Sequence, residues 1–202
     1  MIIPDAKLIP HTYWLGEDVL QLAQDLLGCY LATKIDGVLS YGRIVEVEAY
    51  EGVNDRAAHV YGDKKTARTE TMYQTGGHAY VYLCYGIHHL LNVVTGKKGT
   101  PHAILIRGVE PVFGEEIMAE RSNKKIGDQR IGRGPGNVSK ALGITRDWDG
   151  KVLDGAELSL WRPNHFPKIK MERGARIGVT YAQEDALRAN RFWIENNPHV
   201  SK

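Results

Sequence analysis

Residues 36–50 read DGVLSYGRIVEVEAY, and the six residues before them read YLATKI. An Asp-Gly pair between two runs of β-branched and aromatic residues is a strong short-range hairpin signal, because both turn positions take positive φ. It predicts two antiparallel strands. Along the second strand side chains alternate between faces, so Val45, Val47 and Ala49 point one way and Glu46, Glu48 and Tyr50 the other. The apolar set belongs in a core. Two carboxylates and a tyrosine on the opposite face are either a solvated surface or the start of a site. The following NDRAAH can bring His59 back over the strand end.

Working outward, HAYVYLCYGIHHLLNVV reads as two strands joined near Gly86, with HAILIRGVE as a third. Within the first, Tyr80, Tyr82 and Cys84 share one face, and Val81, Leu83 and Tyr85 the other. Tyr85 directly precedes Gly86, so it projects outward at a turn, either capping a neighbouring loop or entering something else. GEDVLQLAQDLLGC carries apolar residues at helical period, with Gly28 as its stop. PVFGEEIMAERS predicts a helix with Pro111 in its first turn. GRGPGNVSKALGI reads as a glycine-rich loop opening a short helix, with Asn137 as a cap. Short strands are expected at LSLWR, RIGV and RFWIE. No repeat or linker divides the chain. The expectation is one α+β domain over residues 1–202, built on a mainly antiparallel sheet with surrounding helices.

Composition narrows the function. Of the 202 residues 43% are hydrophobic and 25% charged, as in ordinary soluble domains. No apolar run is long enough for a membrane span, and the first residues, MIIPDAKLIPHTYW, do not read as a secretory signal. Cys29 and Cys84 read as core thiols of a reducing cytoplasm. The net charge of +2 is unevenly spread: residues 120–140 carry +4, residues 162–176 carry +4, and the remainder −6. Such asymmetry suits one polyanion-binding face, or two solvated basic loops. The eight histidines show no metal-ligand spacing, and no Ser or Cys nucleophile motif is present. GRGPGN lacks the Walker lysine but can present backbone N–H groups to a phosphate.

In this order, VEVEAYEGVNDRAAHVYG, AYVYLCYGIHHLLNVV, ILIRGVEP and GPGNVSKALGI resemble the alkyladenine (3-methyladenine, methylpurine) DNA glycosylase family. RIGVTYAQEDALRANRFWIENNPHVS resembles that family's closing segment, so the likeness runs from about Leu15 to Ser201. The resemblance implies a curved antiparallel sheet like the C-terminal domain of formyltransferases, and neither metal nor organic cofactor. It implies Glu48 as the general base that aims a water, with Arg107 helping to hold both. Tyr50, His59 and Tyr82 would surround a flipped-out purine, and Asn92 at the pocket edge would disfavour the exocyclic amino group of guanine. Tyr85 would be the wedge filling the gap in double-stranded DNA. His88 stands where the family's hairpin often has tyrosine; its ring can stack and its charge can add a phosphate contact. Arg133, Gly134, Gly136 and Lys140 are the candidate backbone anchors.

The chemistry agrees with this assignment. Extruding a base costs a few kcal/mol, and stacking it on an aromatic ring returns about 1–3 kcal/mol. A carboxylate beside the breaking N-glycosidic bond polarises water and stabilises the developing positive sugar. No lysine or N-terminal proline is placed as a nucleophile, so a monofunctional enzyme acting as a monomer on damaged duplexes is expected. Two rivals remain: a non-catalytic RNA-binding module of related fold, and a hydrolase of small nucleosides. Glu46 and Glu48 argue against the first, and Tyr85 with the basic segments against the second.

Overall fold

The computed structural model describes residues 2–165 and 168–201. In chain order its elements are β1 (Ala6–Leu8), α1 (Val19–Leu26), β2 (Tyr30–Ile35), β3 (Val38–Tyr50), β4 (Ala79–Cys84), β5 (His88–Thr95), β6 (His102–Phe113), α2 (Glu115–Ser122), α3 (Pro135–Leu142), β7 (Leu158–Pro163), β8 (Met171–Gly174) and β9 (Arg191–Ile194). The strands form one open sheet ordered β1-β7-β2-β3-β6-β5-β4, with β9 on β3 and β8 on β9. Every ladder between these strands is antiparallel. The α+β expectation holds.

The hairpin that opened the sequence reading joins β2 to β3, with Asp36 at φ 50° and Gly37 at φ 84°. Strand β3 is long because one edge serves two partners. Its first half pairs with β2 and residues 46–48 pair with β9, while β6 runs along the other edge. Glu46 and Glu48 therefore lie mid-sheet, and both are completely buried. The solvated-face alternative is excluded.

One face of the sheet carries Val47, Ala49, Val81, Val93 and Ile104 and is covered by Leu22 and Leu26 of α1, Met118 of α2 and Val138 of α3. Each fully buried Val, Leu, Ile or Met among them contributes about 1.5–3 kcal/mol. The opposite face carries Tyr80, Val94 and Ala103 and is covered by Ala58, Val60 and Met72 from the 51–78 connection. Tyr50 and Tyr82, two of the candidate site residues, pack on this second face.

Several local expectations change. Val45 and Arg107 are unpaired extra residues in β3 and β6, a pair of compensating bulges between Ile44–Val109 and Val47–Ile106. Val45 is buried but lies outside the main cluster, where Ile44 joins Val47 and Ala49 instead. Pro111 opens no helix. It lies within β6 opposite Gly42 at a register shift, where its missing N–H is tolerated, the ladder ends at Tyr41–Phe113, and α2 starts after Gly114 at φ 72°. Asn137 is not a cap: Gly134 holds that position, Pro135 follows it, and Asn137 donates from Nδ2 to the Arg133 carbonyl at 2.7 Å. RIGV forms no strand, because the Ile177 N–H turns to the Glu48 carboxylate rather than to a ladder. The short strand beside β9 is Met171–Gly174.

Candidate active site

Sheet register assembles the site. Glu48 pairs with Leu105, Leu105 with Asn92, and Asn92 with Tyr80, so these four form a row across β3, β6, β5 and β4. Cross-strand partners share a face. Over this row lies a cavity of about 430 Å³ lined by Tyr50, His59, Tyr82, Asn92 and Arg107, with Tyr85 and Tyr181 among its lining residues. That volume suits a single flat heterocycle with its sugar.

Glu48 sits beneath this cavity rather than in its wall. Its Oε1 accepts the Ile177 N–H at 2.7 Å and lies 3.3 Å from Arg107 Nη1; its Oε2 accepts the Tyr50 hydroxyl at 2.8 Å. Tyr50, Arg107 and Ile177 are all cavity-lining, so each links the carboxylate to the open space. Burial pushes the Glu48 carboxyl above the usual range, against the pull of Arg107, the Ile177 N–H and Tyr50. Oε2 accepts one protein donor among the described residues and retains acceptor capacity for a water.

Glu46 is held quite differently. Its Oε1 accepts Arg107 Nε at 3.0 Å, Arg191 Nε at 2.7 Å and the Ser201 hydroxyl at 2.8 Å, and its Oε2 accepts the Ser201 N–H at 2.7 Å. Three of these donors meet Oε1 and one meets Oε2, and Glu46 is not among the residues lining the cavity.

The aromatic wall is a linked set. His59 Nδ1 and the Tyr80 hydroxyl are 2.9 Å apart, and the His59 ring meets Tyr82 edge-on at 4.5 Å. Burial, then the nearby Arg68 cation, lowers the His59 pKa to about 4, so the imidazole is neutral at pH 7. Guanidinium groups lie over two of the rings: Arg176 Cζ is 4.7 Å from the Tyr50 centroid and Arg68 Cζ 4.9 Å from that of Tyr82. Arg176 is itself buried and bonded to Asp55, with Nη2 at 2.8 Å from Oδ1. Asn92 is buried and donates from Nδ2 to the Tyr80 carbonyl at 3.1 Å.

Tyr85 stands at the tip of the β4–β5 hairpin and is 90% exposed. The turn from Cys84 to Ile87 has φ 50° at Tyr85 and φ 72° at Gly86, closed by the Ile87 N–H to the Cys84 carbonyl at 3.1 Å. Exposed Leu83 and Ile87 flank it. Cys84 is not the core thiol expected; it is half-buried and lines the cavity, because its strand has left the core by that point. Cys29 is buried as expected.

The residues expected at the DNA backbone gather less tightly. His88 is exposed and lies against the start of α3, where a Cβ on Gly136 would come within 2.9 Å of its ring. Gly134 and Pro135 open that helix, and Pro135 lines the cavity. Arg133 is committed through Nε to the Val200 carbonyl at 3.1 Å. Lys140 is exposed but lies more than a turn further along α3. Arg68, Arg176, Ile177 and Tyr181 were absent from the sequence reading as site residues. Ile177 acts through its backbone and the two arginines through tertiary stacking, so no side-chain motif announces them.

A completely buried carboxylate thus lies beneath an aromatic cavity, with an exposed aromatic beside it. The family model for methylpurine-DNA glycosylase (MPG) matches residues 13–198. A Bacillus cereus protein (strain ATCC 10987 / NRS 248) named "Putative 3-methyladenine DNA glycosylase" is 44% identical over 202 residues, covering 96% of this chain and 98% of its own. A Bacillus thuringiensis protein (strain Al Hakam) of the same name is 43% identical with the same coverage. The chain belongs to the methylpurine-DNA glycosylase family.

Proposed function

We propose that the protein is a monofunctional DNA glycosylase that flips alkylated purines out of duplex DNA and hydrolyses their N-glycosidic bond, leaving an abasic site. The observation carrying this reading is Glu48, a buried carboxylate of raised pKa set at the foot of an aromatic cavity with acceptor capacity left on Oε2. Tyr85 enters the duplex and holds the gap, while the extruded base stacks between Tyr50, His59 and Tyr82. Glu48 takes a proton from water as the C1′–N bond lengthens, and its charge stabilises the oxocarbenium-like sugar. Arg107 holds the carboxylate and the water. Asn92, at the cavity wall, disfavours the guanine amino group. His88, the N–H groups of Gly134 and Gly136, and Lys140 contact phosphates, with Arg133 already spent on Val200.

Cationic purines leave readily and need no further acid. Deaminated and etheno bases are neutral and need protonation, and Glu46, bonded to Arg107, Arg191 and Ser201 and away from the cavity wall, is not placed to supply it. We place them as secondary substrates of a monomer working without a cofactor.

A single-turnover assay tests this on methylated duplexes and on duplexes with hypoxanthine or ethenoadenine, in chelator. Free base should be released, with strand breakage only after alkali. Glu48→Gln should bind the lesion duplex within a few-fold of wild type and lose excision by at least about 100-fold, the scale of a positioned general base. Full activity in that variant would remove the mechanism. Salt-dependent binding without base release would favour the binding-module alternative.

A further inference from the structure

Arg107 divides its guanidinium among three partners. Its Nε donates to Glu46 at 3.0 Å and its Nη2 to the Ser201 hydroxyl at 3.1 Å, which leaves Nη1 at 3.3 Å from Glu48. A lone Arg–carboxylate pair prefers the two-bond fork, and a fork on Glu48 would make it a weaker base. Here two other acceptors draw the guanidinium away.

Residues 197–201 complete the arrangement as a strap across β6 and β9. Arg191 Nη2 donates to the Ser201 carbonyl at 2.7 Å, Arg133 Nε to the Val200 carbonyl at 3.1 Å, and Asn197 Nδ2 to Glu110 at 3.0 Å. The strap passes so close to β6 that a Cβ on Gly108 would lie 2.9 Å from the His199 carbonyl. A buried network of this kind is a poor source of stability compared with apolar packing, so stability alone does not explain it.

Given that Glu48 is the general base, we propose that Glu46 and Ser201 are positioning residues that hold Arg107 to a single contact with Glu48 and so keep Glu48 a competent base. The charged and titratable groups facing Glu48 are Glu46 and Tyr50 from β3, Arg107 from β6 and Arg176 from the segment leading to Ile177. Arg191 of β9 reaches Glu46 instead. Loosening the strap lets Arg107 swing into the fork on Glu48, which lowers the pH at which Glu48 gives up its proton and slows water activation.

The test compares Glu46→Gln, Ser201→Ala and Ser201→Thr with the wild type by two readouts. One is the pH–rate profile for excision of a cationic methylated purine from a duplex. The other is the titration of the Glu48 side-chain carboxyl by ¹³C NMR without DNA, assigned with Glu48→Gln. Both the acid limb and the titration should move to lower pH by about one unit in Glu46→Gln, with a plateau rate at least about ten-fold down. Ser201→Ala changes no charge, so a smaller shift in the same direction reports geometry, and Ser201→Thr should restore it.

Unchanged limb and titration in Ser201→Ala, with only a lower melting temperature, would overturn the proposal. If Glu46→Gln does not fold, the Ser201 pair decides alone. If the wild type releases no base, the glycosylase reading fails, and the NMR titration still decides whether the strap tunes Glu48.

Discussion

Two cavity tyrosines each carry a guanidinium over one ring, and this bears on which purines the cavity prefers. Arg176 is fixed in its place by Asp55 and by the Ala49 carbonyl, but Arg68 is exposed and rests on the Tyr82 face, with a 3.4 Å contact to His59 Nε2 and a hydrogen bond to the Tyr80 side chain. A cation over Tyr82 uses part of that ring's attraction for a second cation and adds direct repulsion. Positively charged methylpurines suffer from this and neutral bases do not. Arg68→Gln should therefore raise excision of a cationic methylpurine relative to hypoxanthine, by about two- to five-fold for a contact of about 0.5–1 kcal/mol. Competition between the two lesion duplexes reads the ratio directly; a fall in the ratio would mean that Arg68 instead helps seat the charged base. Nothing in TARTE marks Arg68 in advance, since its role exists only once the connection folds over the sheet.

At the scale of elements, the legible features were those written in local chemistry. Asp36-Gly37 and Tyr85-Gly86 both take paired positive φ values, and the alternation in β4 correctly put Tyr80 and Tyr82 opposite Val81. What failed needed tertiary knowledge: a proline tolerated at a register shift inside a strand, a strand-like RIGV spent on a carboxylate, and two bulges that cancel in register. The β4–β5 turn itself offers a clean separation of binding from folding. Its first central position is occupied by Tyr85 at φ 50°, where Asn is far better suited than an aromatic, and Asn-Gly is the preferred pair for such a turn. Tyr85→Asn should leave the melting temperature unchanged or slightly higher. Duplex binding should weaken by about ten- to a hundred-fold, matching the loss of about 1–3 kcal/mol of stacking. Titration of a lesion duplex beside a thermal melt checks both; unchanged affinity would end the wedge assignment.

For the whole molecule, the pattern of strand and helix segments anticipated the α+β class, but the charge count overstated the free positive charge. The two basic segments hold eleven Lys and Arg residues, and a slope of log affinity on log salt near −10 would follow if all met phosphates. Folding commits most of them elsewhere. Arg121 donates to the Ser40 hydroxyl, Arg130 pairs with Asp128 at 2.6 Å, and Arg133 holds Val200. In the second segment Arg176 is buried on Asp55, Lys170 pairs with Glu195 at 2.8 Å, Arg162 donates to the Tyr13 hydroxyl and Arg173 lies over Phe192. Lys125, Lys140 and Lys168 remain exposed. Sequence counts charges, but it does not show which are already neutralised within the fold. Duplex affinity measured between about 50 and 200 mM salt should therefore give a slope of only about −3 to −5. Lys140→Ala should reduce its magnitude by about one if that residue meets a phosphate. A slope near −10 would mean that the exposed ion pairs open onto DNA, with the protein's internal pairing traded for phosphate on binding.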